Sequence, residues 1–391
     1  MLRGFSGGCA SVVVTVGISF GCQGGKPTIP VGPPQQHSEY TVPPDASAET
    51  IVSNVVGIDA GCVYAQVKGE LRSSNLLFVL DRSGSMACNL PQDGQSSSEC
   101  SQFPLRRFPD LPSKWELTLA ALNSALIALQ ATGRVHVALS LFPETGSACT
   151  IAAKPQVSLS FLDATGLDRV NQTLSSIAPY GNTPLVGAII LGYQYFLSQL
   201  RFGALDGENF VVVLTDGKET CSVDEVEKLL NVDAPNALHM LGIRTFVIGV
   251  PGSEDAREFL SALAEAGGTV RSKDCLYGPG YGNCHFDMTA SANFSVDLLD
   301  ALTKINAEVL NCSLSVPDAT GDATVDLTRV NVALNNRSIP FVASGSCSEG
   351  INGWQYTPDN ASIRLCGTAC AEAQLPGSTV SIVLGCPSSI W

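Results

Sequence analysis

The sequence predicts an α/β fold: a three-layer domain with a doubly wound, mostly parallel sheet, joined to a small antiparallel β domain rich in disulfides. Two observations predict this architecture. Uninterrupted apolar runs such as Leu76–Leu80 and Phe210–Leu214 are typical of strands buried on both faces, as in parallel sheets. Between such runs, apolar residues recur at helical spacing, as at Leu119, Leu122 and Leu126. Strands that alternate with helices indicate helical layers on both faces of the sheet.

The elements of this domain follow from hydrophobic periodicity and capping signals. Ser113 and Glu116 form a capping box ahead of the leucine-rich helix, and Ser222 and Glu225 form a second one. The expected strands are Leu76–Leu80, Arg134–Phe142, an edge strand Val157–Phe161, Phe210–Thr215 and Ile243–Val250. Six helices are expected. The first starts at Ser113, the second covers Leu167–Ile177, and the third runs from Leu185 to Leu200. The fourth runs from Ser222 towards Leu230, the fifth from a cap at Ser253 to Ala266, and the sixth covers Ser291–Leu310.

The composition changes after residue 311, where Ser, Thr, Val, Asn and Gly surround short strand-like runs. These runs predict a small antiparallel β domain over residues 311–391. The expected tail strands are Thr324–Leu327, Val330–Leu334, Ile363–Leu365 and Val380–Leu384. Two further strands are expected upstream of the α/β domain, at Thr50–Val56 and Cys62–Val67.

The 14 cysteines indicate how these segments assemble. Cys9 and Cys22 belong to the leader, and residues 76–310 contain an even number of cysteines. Residues 311–391 contain an odd number, so one of these cysteines needs a partner from outside the tail, and Cys62 is the cysteine that remains. We therefore expect residues 46–75 to fold with residues 311–391, with Cys62 bonded to a tail cysteine. The α/β domain, residues 76–310, is then inserted between these two segments.

Two bridges are expected inside the α/β domain. Cys88 and Cys100 bracket a polar loop, and Cys275 and Cys284 enclose a loop rich in Gly and Pro. Zinc binding by Cys284 and His285 is the alternative for the second pair, but a disulfide suits that loop better. The other pairings stay open, because six cysteines allow 15 connectivities.

Charge and the N-terminal leader restrict the location and the partners. The formal net charge is −14, which disfavours nucleic acid and anionic membrane surfaces as partners. So many cysteines indicate an oxidising compartment. Residues 1–22 are predicted to be a signal peptide, either of the bacterial lipoprotein type with Cys22 acylated or of the conventional secretory type. Residues 23–45, rich in Pro and Gly, are predicted to be a tether, so membrane contact is expected only through a lipid anchor.

Oxygen-bearing side chains follow two of the expected strands. Asp81, Ser83 and Ser85 come directly after the first strand at alternate positions, and Asp216 follows Phe210–Thr215. Ligands of doubly wound sheets bind beyond the carboxyl ends of the strands, where the strand order reverses. If these two strands flank that position, both Asp side chains emerge side by side. Carboxylates and hydroxyls are the ligands that hard divalent cations prefer.

Together with Tyr180–Leu185, these segments resemble the von Willebrand factor A family and its metal-ion-dependent adhesion site. The resemblance covers roughly residues 76–310. It implies a three-layer, Rossmann-like fold in which Ser83, Ser85 and Thr183 supply hydroxyl oxygens to a divalent cation, while Asp81 and Asp216 act mainly through bound waters. It also implies a coordination position that a partner's carboxylate fills. The tail is similar to segments that follow such domains in some bacterial secreted proteins.

The resulting hypothesis is a protein-binding module without enzymatic activity, of the adhesion or scaffold type, tethered to the cell envelope. We expect it to bind Mg²⁺, with Mn²⁺ or Ca²⁺ as alternatives, and to bind a protein that presents Asp or Glu. The rival hypotheses are a purely structural envelope protein and an unrecognised hydrolase. A hydrolase needs a His close to its nucleophile. His37, His136 and His239 are better interpreted as structural, and His285 follows an expected bridge.

Overall fold

The structure is a computed structural model. It describes residues 58–59, 62–63, 65–69, 71, 73–145, 148–203, 205, 207–309, 312–315, 330–342, 351–357, 362–375 and 377–384. The predicted leader and tether, and the strands expected at Thr50–Val56 and Thr324–Leu327, lie outside these residues. Within them, none of the helices has both the length and the apolar character that crossing a membrane requires.

Strands and helices alternate through the central part of the chain. The strands are β1 Ile58–Asp59, β2 Cys62–Val63, β3 Ala65–Gly69, β4 Ser74–Asp81, β5 Val135–Phe142, β6 Val157–Phe161, β7 Glu208–Thr215, β8 Ile243–Gly249, β9 Tyr277–Gly278, β10 Tyr281–Gly282, β11 Phe286–Asp287, β12 Ser313–Ser315, β13 Val330–Leu334, β14 Arg337–Ile339, β15 Gly353–Tyr356, β16 Ser362–Cys366 and β17 Val380–Leu384. The α-helices are α1 Ser97–Gln102, α2 Lys114–Gln130, α3 Ala164–Ser175, α4 Leu185–Arg201, α5 Val226–Lys228, α6 Ala234–Leu241, α7 Arg257–Ala266, α8 Phe294–Val309 and α9 Gly367–Ala373.

The main sheet confirms the predicted fold class. Its strand order is β11-β8-β7-β4-β5-β6, and only the edge pair β5–β6 is antiparallel. The order reverses between β4 and β7, which run parallel as direct neighbours. The carboxyl ends of β4 and β7 therefore meet at the switch point, where such sheets bind ligands.

Side-chain alternation explains why the sheet is covered on both faces. Every residue of β4 is buried; Leu76, Phe78 and Leu80 belong to one hydrophobic cluster, and Leu77 and Val79 to another. The first cluster includes side chains of α2, α3 and α8, and the second includes side chains of α4, α6 and α7. This two-sided burial is the reason for the uninterrupted apolar run.

Two predicted caps are wrong. The side chain of Ser222 makes no capping hydrogen bond, because the N–H of Glu225 donates to the Ser222 carbonyl at 3.1 Å instead. The Ser222 N–H, the other donor of a capping box, is held by Glu219 Oε1 at 2.7 Å. The helical segment also continues past Leu230, through a π-helix over Leu229–Asp233 and into α6, where Pro235 sits in the first turn and is tolerated. Ser253 makes no cap either; its hydroxyl donates to the carbonyl of Val250 at 2.9 Å.

The tail forms two small antiparallel sheets. One has the order β14-β13-β17-β3, and the other has the order β12-β16-β15. Strand β3 lies upstream of the α/β domain yet pairs with β17 over Ala65–Gly69 and Val380–Leu384. This pairing is the contact expected if residues 46–75 fold with the tail. Tail residues such as Trp354, Val332 and Ile363 form a hydrophobic core of their own.

The disulfides agree with the cysteine count within each segment. The described bridges are Cys88–Cys100, Cys149–Cys221, Cys275–Cys284 and Cys312–Cys370. The first and third confirm the two expected pairings, and the third replaces the zinc alternative. Cys366 is also disulfide-bonded. The side chain of Cys62 lies outside the described residues, so its bond to the tail stays a prediction.

His285 is buried behind the Cys275–Cys284 loop. Its ring Nδ1 lies 2.8 Å from Ser261 Oγ, and no hydrogen-bond partner reaches its Nε2 among the described residues. Burial lowers the pKa of His285 to about 4; the charge of Asp287 opposes this shift, whereas Arg257 and Arg271 add to it. The neutral ring is therefore the form that fits the folded protein.

Acid should destabilise the protein through His285. An unfolded His has a pKa of about 6.5, so the unfolded chain takes up a proton first as the pH falls. Above that pH the stability that the neutral ring contributes is fully present. Between about pH 6.5 and pH 4 the free energy of unfolding decreases, by about 3 kcal/mol in total. Urea unfolding at pH 7 and pH 5 should show a smaller loss for His285→Gln than for wild type. An equal loss would contradict the assignment, and exposed His239→Gln is the control.

Candidate metal centre

Two buried carboxylates meet at the switch point of the sheet. Asp81 is the last residue of β4, and Asp216 directly follows β7. Because the two strands are parallel neighbours, both side chains emerge at the same edge. Asp81 is 0% exposed and Asp216 is 2% exposed. The sequence predicted this juxtaposition.

A chain of hydrogen bonds connects the two predicted serines to these carboxylates. The backbone N–H of Ser83 donates to Asp81 Oδ1 at 2.7 Å. The hydroxyls of Ser83 and Ser85 lie 3.1 Å apart, and Ser85 Oγ donates to Asp216 Oδ1 at 2.7 Å. A single chain of hydrogen bonds therefore links four of the five predicted residues.

Thr183 lies beside the same group of loops, just before α4. Its carbonyl accepts from the N–H of Thr220 at 3.1 Å, and its N–H donates to Thr220 Oγ1 at 2.8 Å. A Cβ placed on Gly217 would lie 3.7 Å from Thr183 Oγ1, so this hydroxyl faces the residue after Asp216. The N–H of Gly84 donates to the carbonyl of Gly181 at 3.0 Å, which joins the Thr183 loop to the serine loop.

Glu219 organises the start of α4, and the sequence did not reveal this role. Pro184, the N-cap residue of α4, provides no side-chain cap. Instead, Glu219 Oε2 accepts from the N–H of Val186 at 2.6 Å, and its Oε1 accepts from the N–H groups of Cys221 and Ser222. A carboxylate at a helix N-terminus is favoured by the helix dipole. Glu219 thereby fixes the Asp216 loop relative to Thr183.

The electrostatics of the pair favour a cation. Burial, followed by the charge of nearby Asp216, raises the pKa of Asp81 to about 7. Hydrogen bonds from Thr215 and Ser83 act in the opposite direction. Thr215 Oγ1 donates to Asp81 Oδ2 at 2.6 Å. Two buried carboxylates held this close repel each other unless a positive charge lies between or beside them.

Lys114 supplies one such charge, and it is the second residue that sequence reasoning missed. Its ammonium forms an ion pair with Asp216 Oδ2, and both side chains are almost completely buried, 3% and 0% exposed. Lys114 was predicted only as the first residue of a capped helix. The pair joins residues 102 positions apart, a tertiary contact that the local pattern does not indicate.

The donor set fits a hard divalent cation. The predicted ligands offer hydroxyl and carboxylate oxygens and no sulfur or nitrogen, which suits Mg²⁺, Mn²⁺ or Ca²⁺. The described residues contain no group of three or more His, Cys, Asp or Glu side chains placed to hold a metal ion. The predicted set has two carboxylates, and its remaining donors are the hydroxyls of Ser83, Ser85 and Thr183.

Two disulfides enclose the site. Cys149 follows β5 and Cys221 lies in the loop after β7, and their bridge joins these loops over a sequence separation of 72. Cys88–Cys100 closes the loop after β4. The backbone N–H of Asn182 donates to the carbonyl of Ala148 at 2.9 Å, which adds the Thr183 loop to this frame.

One sequence relative matches part of the chain. The uncharacterized protein YwmD of Bacillus subtilis (strain 168) is 33% identical over 98 residues, which is 25% of this chain. The match covers 40% of the length of YwmD.

Several solved structures are similar to parts of the chain. The D319A mutant of the PilB minor pilin from Streptococcus sanguinis matches at 16% identity with a TM-score of 0.42, covering 62% of each chain. The pilus adhesin SpaC from Lactobacillus rhamnosus GG matches at 14% identity with a TM-score of 0.42, covering 84% of this chain and 41% of SpaC. The manganese-loaded TRAP protein of Plasmodium vivax matches at 17% identity with a TM-score of 0.34, covering 56% of this chain and 73% of TRAP.

The family model of the von Willebrand factor type A domain matches residues 75–276. This range runs from β4 through β8 and α7 and includes Asp81, Thr183 and Asp216. It accounts for more than half of the 391 residues. The chain belongs to the von Willebrand factor type A domain family.

Proposed function

We propose that the protein is a metal-dependent binding module of the adhesion or scaffold type, without enzymatic activity. It binds a divalent cation, Mg²⁺ first and Mn²⁺ or Ca²⁺ as alternatives, at the switch point of the sheet. The bound cation takes up the carboxylate of an Asp or Glu on a partner protein. The proposed ligands are Asp81, Ser83, Ser85, Thr183 and Asp216.

One observation carries this proposal: a chain of hydrogen bonds joins the two carboxylates through Ser83 and Ser85. It runs from the Ser83 N–H to Asp81, between the two serine hydroxyls, and from the Ser85 hydroxyl to Asp216. Asp81 and Asp216 each accept a hydrogen bond from a neighbouring hydroxyl, and backbone bonds join the loops that bear Ser83 and Thr183. A rigid set of oxygens pays little ordering cost when it binds a cation. The family membership of the chain supports the same function.

A cation at this position supplies a positive charge in an otherwise acidic protein. With a formal net charge of −14, the protein repels acidic partners in general. At the site itself, the bound cation attracts a carboxylate of the partner and so offsets this repulsion. The proposed recognition therefore depends on the position of a single acidic side chain and on uncharged contacts around it.

The loop from residue 89 to residue 112 is the proposed source of those contacts. Phe103 and Leu105 at its tip are 72% and 71% exposed. Gly84, in the serine loop, would place a Cβ 3.2 Å from Pro104, so the tip lies next to the site. Two exposed apolar side chains beside a cation-binding site suit a partner that presents apolar residues around its acidic one.

The same loop is held in one conformation by buried polar side chains. The Asn89 side chain accepts from the N–H of Phe108 at 2.7 Å and donates to the carbonyls of Leu111 and Pro112. Gln95 Nε2 donates to the carbonyl of Leu105 at 2.7 Å. With the Cys88–Cys100 bridge, these bonds lower the ordering cost of binding a partner.

The histidines favour binding over hydrolysis. Among the described residues, His136 lies in β5 against the ring of Phe161, and His239 lies on the exposed side of α6. His285 bonds to Ser261 rather than to a site serine. The hydroxyls of Ser83 and Ser85 bond to each other, and that of Ser85 also bonds to Asp216, which is the pattern of oxygen ligands rather than of a nucleophile beside its base.

We also propose that the protein is secreted or anchored at the cell envelope. The disulfides of the α/β domain and the tail need an oxidising compartment. The predicted signal peptide, residues 1–22, and the predicted tether, residues 23–45, agree with this location. Acylation of Cys22 is the proposed route to an anchor.

Partner binding should depend on the metal. A partner recovered from the cell envelope on immobilised protein should bind in Mg²⁺, leave in EDTA and return when Mg²⁺ is restored. In biolayer interferometry, Asp81→Asn should abolish binding, whereas Phe103→Ala with Leu105→Ala should weaken it at least about tenfold.

The controls separate the two parts of the proposed surface. The Phe103 and Leu105 variants must bind Mg²⁺ as wild type does, because neither side chain belongs to the proposed ligand set. Changing the partner's contacting Asp or Glu to its amide should remove binding. A partner that binds equally well in EDTA would contradict the proposed function and leave a structural envelope protein as the alternative.

A further inference from the structure

We propose that Lys114 is the built-in counter-ion of the metal-free site: its ammonium balances Asp216 when no cation is bound, and it weakens the binding of a cation. This inference concerns the same site and rests on the proposed metal binding. It assigns a positioning role to a residue outside the five proposed ligands.

The burial of Lys114 is the first observation. Its side chain is 3% exposed, whereas those of Lys218, Lys228 and Lys304 are 57%, 57% and 54% exposed. Removing an ammonium group from water is costly unless an opposite charge and good geometry compensate. Asp216 Oδ2 is the compensating group, and it is itself completely buried.

The position of Lys114 in α2 is the second observation. It is the first residue after the N-cap Ser113. A cation there is opposed by the positive end of the helix dipole. Neither helix stability nor solvation therefore explains a Lys at this position. Its contact with Asp216 does.

The surrounding backbone makes room for the ammonium. Gly252, in the loop after β8, has a φ of +113°, and a Cβ there would lie 2.8 Å from Lys114 Nζ and 3.2 Å from the carbonyl of Asp216. A side chain at this position would be strained and would also collide with the pair. Glycine keeps the space beside the carboxylate open for the lysine.

The two oxygens of Asp216 thereby acquire different roles. Oδ1 accepts from Ser85 at 2.7 Å and faces the proposed ligands, whereas Oδ2 is occupied by Lys114. In formal charge, Asp81, Asp216 and Lys114 sum to −1 rather than −2. Binding of a divalent cation then leaves a net charge of +1, which attracts a partner's carboxylate. Without Lys114 the loaded site would be neutral.

Lys114→Met should lower the stability of the metal-free protein and raise its affinity for Mg²⁺. In EDTA the Tm should fall by about 10 °C, because Asp216 is left as an unpaired buried charge. Saturating Mg²⁺ should restore most of this loss, since the cation replaces the missing charge. In calorimetric titration the variant should bind Mg²⁺ about tenfold more tightly than wild type, because the repulsion between the ammonium and the cation is gone.

A double variant distinguishes charge from packing. Lys114→Met with Asp216→Asn removes both charges and keeps similar shapes, so in EDTA it should be clearly more stable than Lys114→Met alone. If Lys114→Met does not fold in EDTA, the proposal still predicts that it folds in Mg²⁺ and that the double variant folds in EDTA. Lys228→Met removes an exposed ion-pair partner, 57% exposed, and should change nothing in either buffer.

Any of three stability results would overturn the proposal: a Lys114→Met variant as stable as wild type in EDTA, no recovery of its Tm in Mg²⁺, or a double variant as unstable as the single one. Unchanged Mg²⁺ affinity in Lys114→Met would also overturn it. These outcomes differ from failure of the proposed function, in which wild type itself gives no binding heat with Mg²⁺.

Discussion

Replacing Asp81 by Asn is expected to abolish Mg²⁺ binding and leave the protein folded. The amide retains an oxygen that can accept from the N–H of Ser83, now 2.7 Å from Asp81 Oδ1. Its NH₂ group can donate to Thr215 Oγ1, which lies 2.6 Å from Asp81 Oδ2. The loss is therefore one negative charge at the site, which a hard cation with few carboxylate ligands needs. Calorimetric titration should give heat for wild type and none for the variant.

Asp110→Asn is the matched control for that change. Asp110 is exposed in the loop that follows β4, so its replacement alters the same charge on the same side of the sheet. It should bind Mg²⁺ with the affinity of wild type. Mg²⁺ heat that persists in Asp81→Asn would remove Asp81 from the ligand set. Equal losses in both variants would indicate a general effect of surface charge.

Removing the Cys149–Cys221 bridge should give the largest loss of stability among the disulfides of the α/β domain. Its sequence separation of 72 means that the bridge excludes many conformations of the unfolded chain. The chain-entropy relation assigns about 4 kcal/mol to a loop of this length. Urea unfolding of Cys149→Ser with Cys221→Ser should therefore show a much lower midpoint than wild type.

The Cys275–Cys284 bridge provides the comparison. With a separation of only 9, it should contribute about 2.5 kcal/mol by the same relation. The double serine variant at this pair should therefore lie between wild type and the Cys149–Cys221 variant. The reverse order would mean that native-state contacts, rather than the length of the closed loop, determine what these bridges contribute.

The sequence revealed the parts of the site that follow directly from strands. Leu76–Leu80 is uninterrupted because β4 is buried on both faces, and its last residue, Asp81, must then emerge at the sheet edge. The same holds for β7 and Asp216. Local pattern and burial agree at these positions, so the fold class and the placement of both carboxylates were predictable.

Other parts of the site depend on contacts that no local pattern encodes. Lys114 reaches Asp216 only because α2 starts beside the loop after β7. Glu219 caps α4 across the Asp216 loop, and in doing so it takes the N–H groups of Cys221 and Ser222. In a capping box the Ser222 N–H would donate to the side chain of Glu225. It donates to Glu219 instead, so the capping box expected at Ser222 does not form. In both cases a tertiary partner overrides the local signal.

The predicted helix ends also differ in how far the local sequence determines them. The box at Ser113 forms as predicted, with both hydrogen bonds to Glu116. The helix after Ser222 extends beyond its expected end because Pro235 falls in the first turn of α6 after a π-helix. Proline is tolerated there, since its missing N–H is not needed.

In the proposed metal site, Asp81 and Asp216 hold a divalent cation together with the hydroxyls of Ser83 and Ser85. The most direct measurement is anomalous diffraction from crystals soaked in Mn²⁺, with wild type and Asp81→Asn treated alike. We predict a single strong anomalous peak in contact with Ser83 and Ser85 in wild type, and no peak there in the variant. A wild-type crystal without that peak, or with a peak only elsewhere on the protein, would show that these residues do not form the metal site.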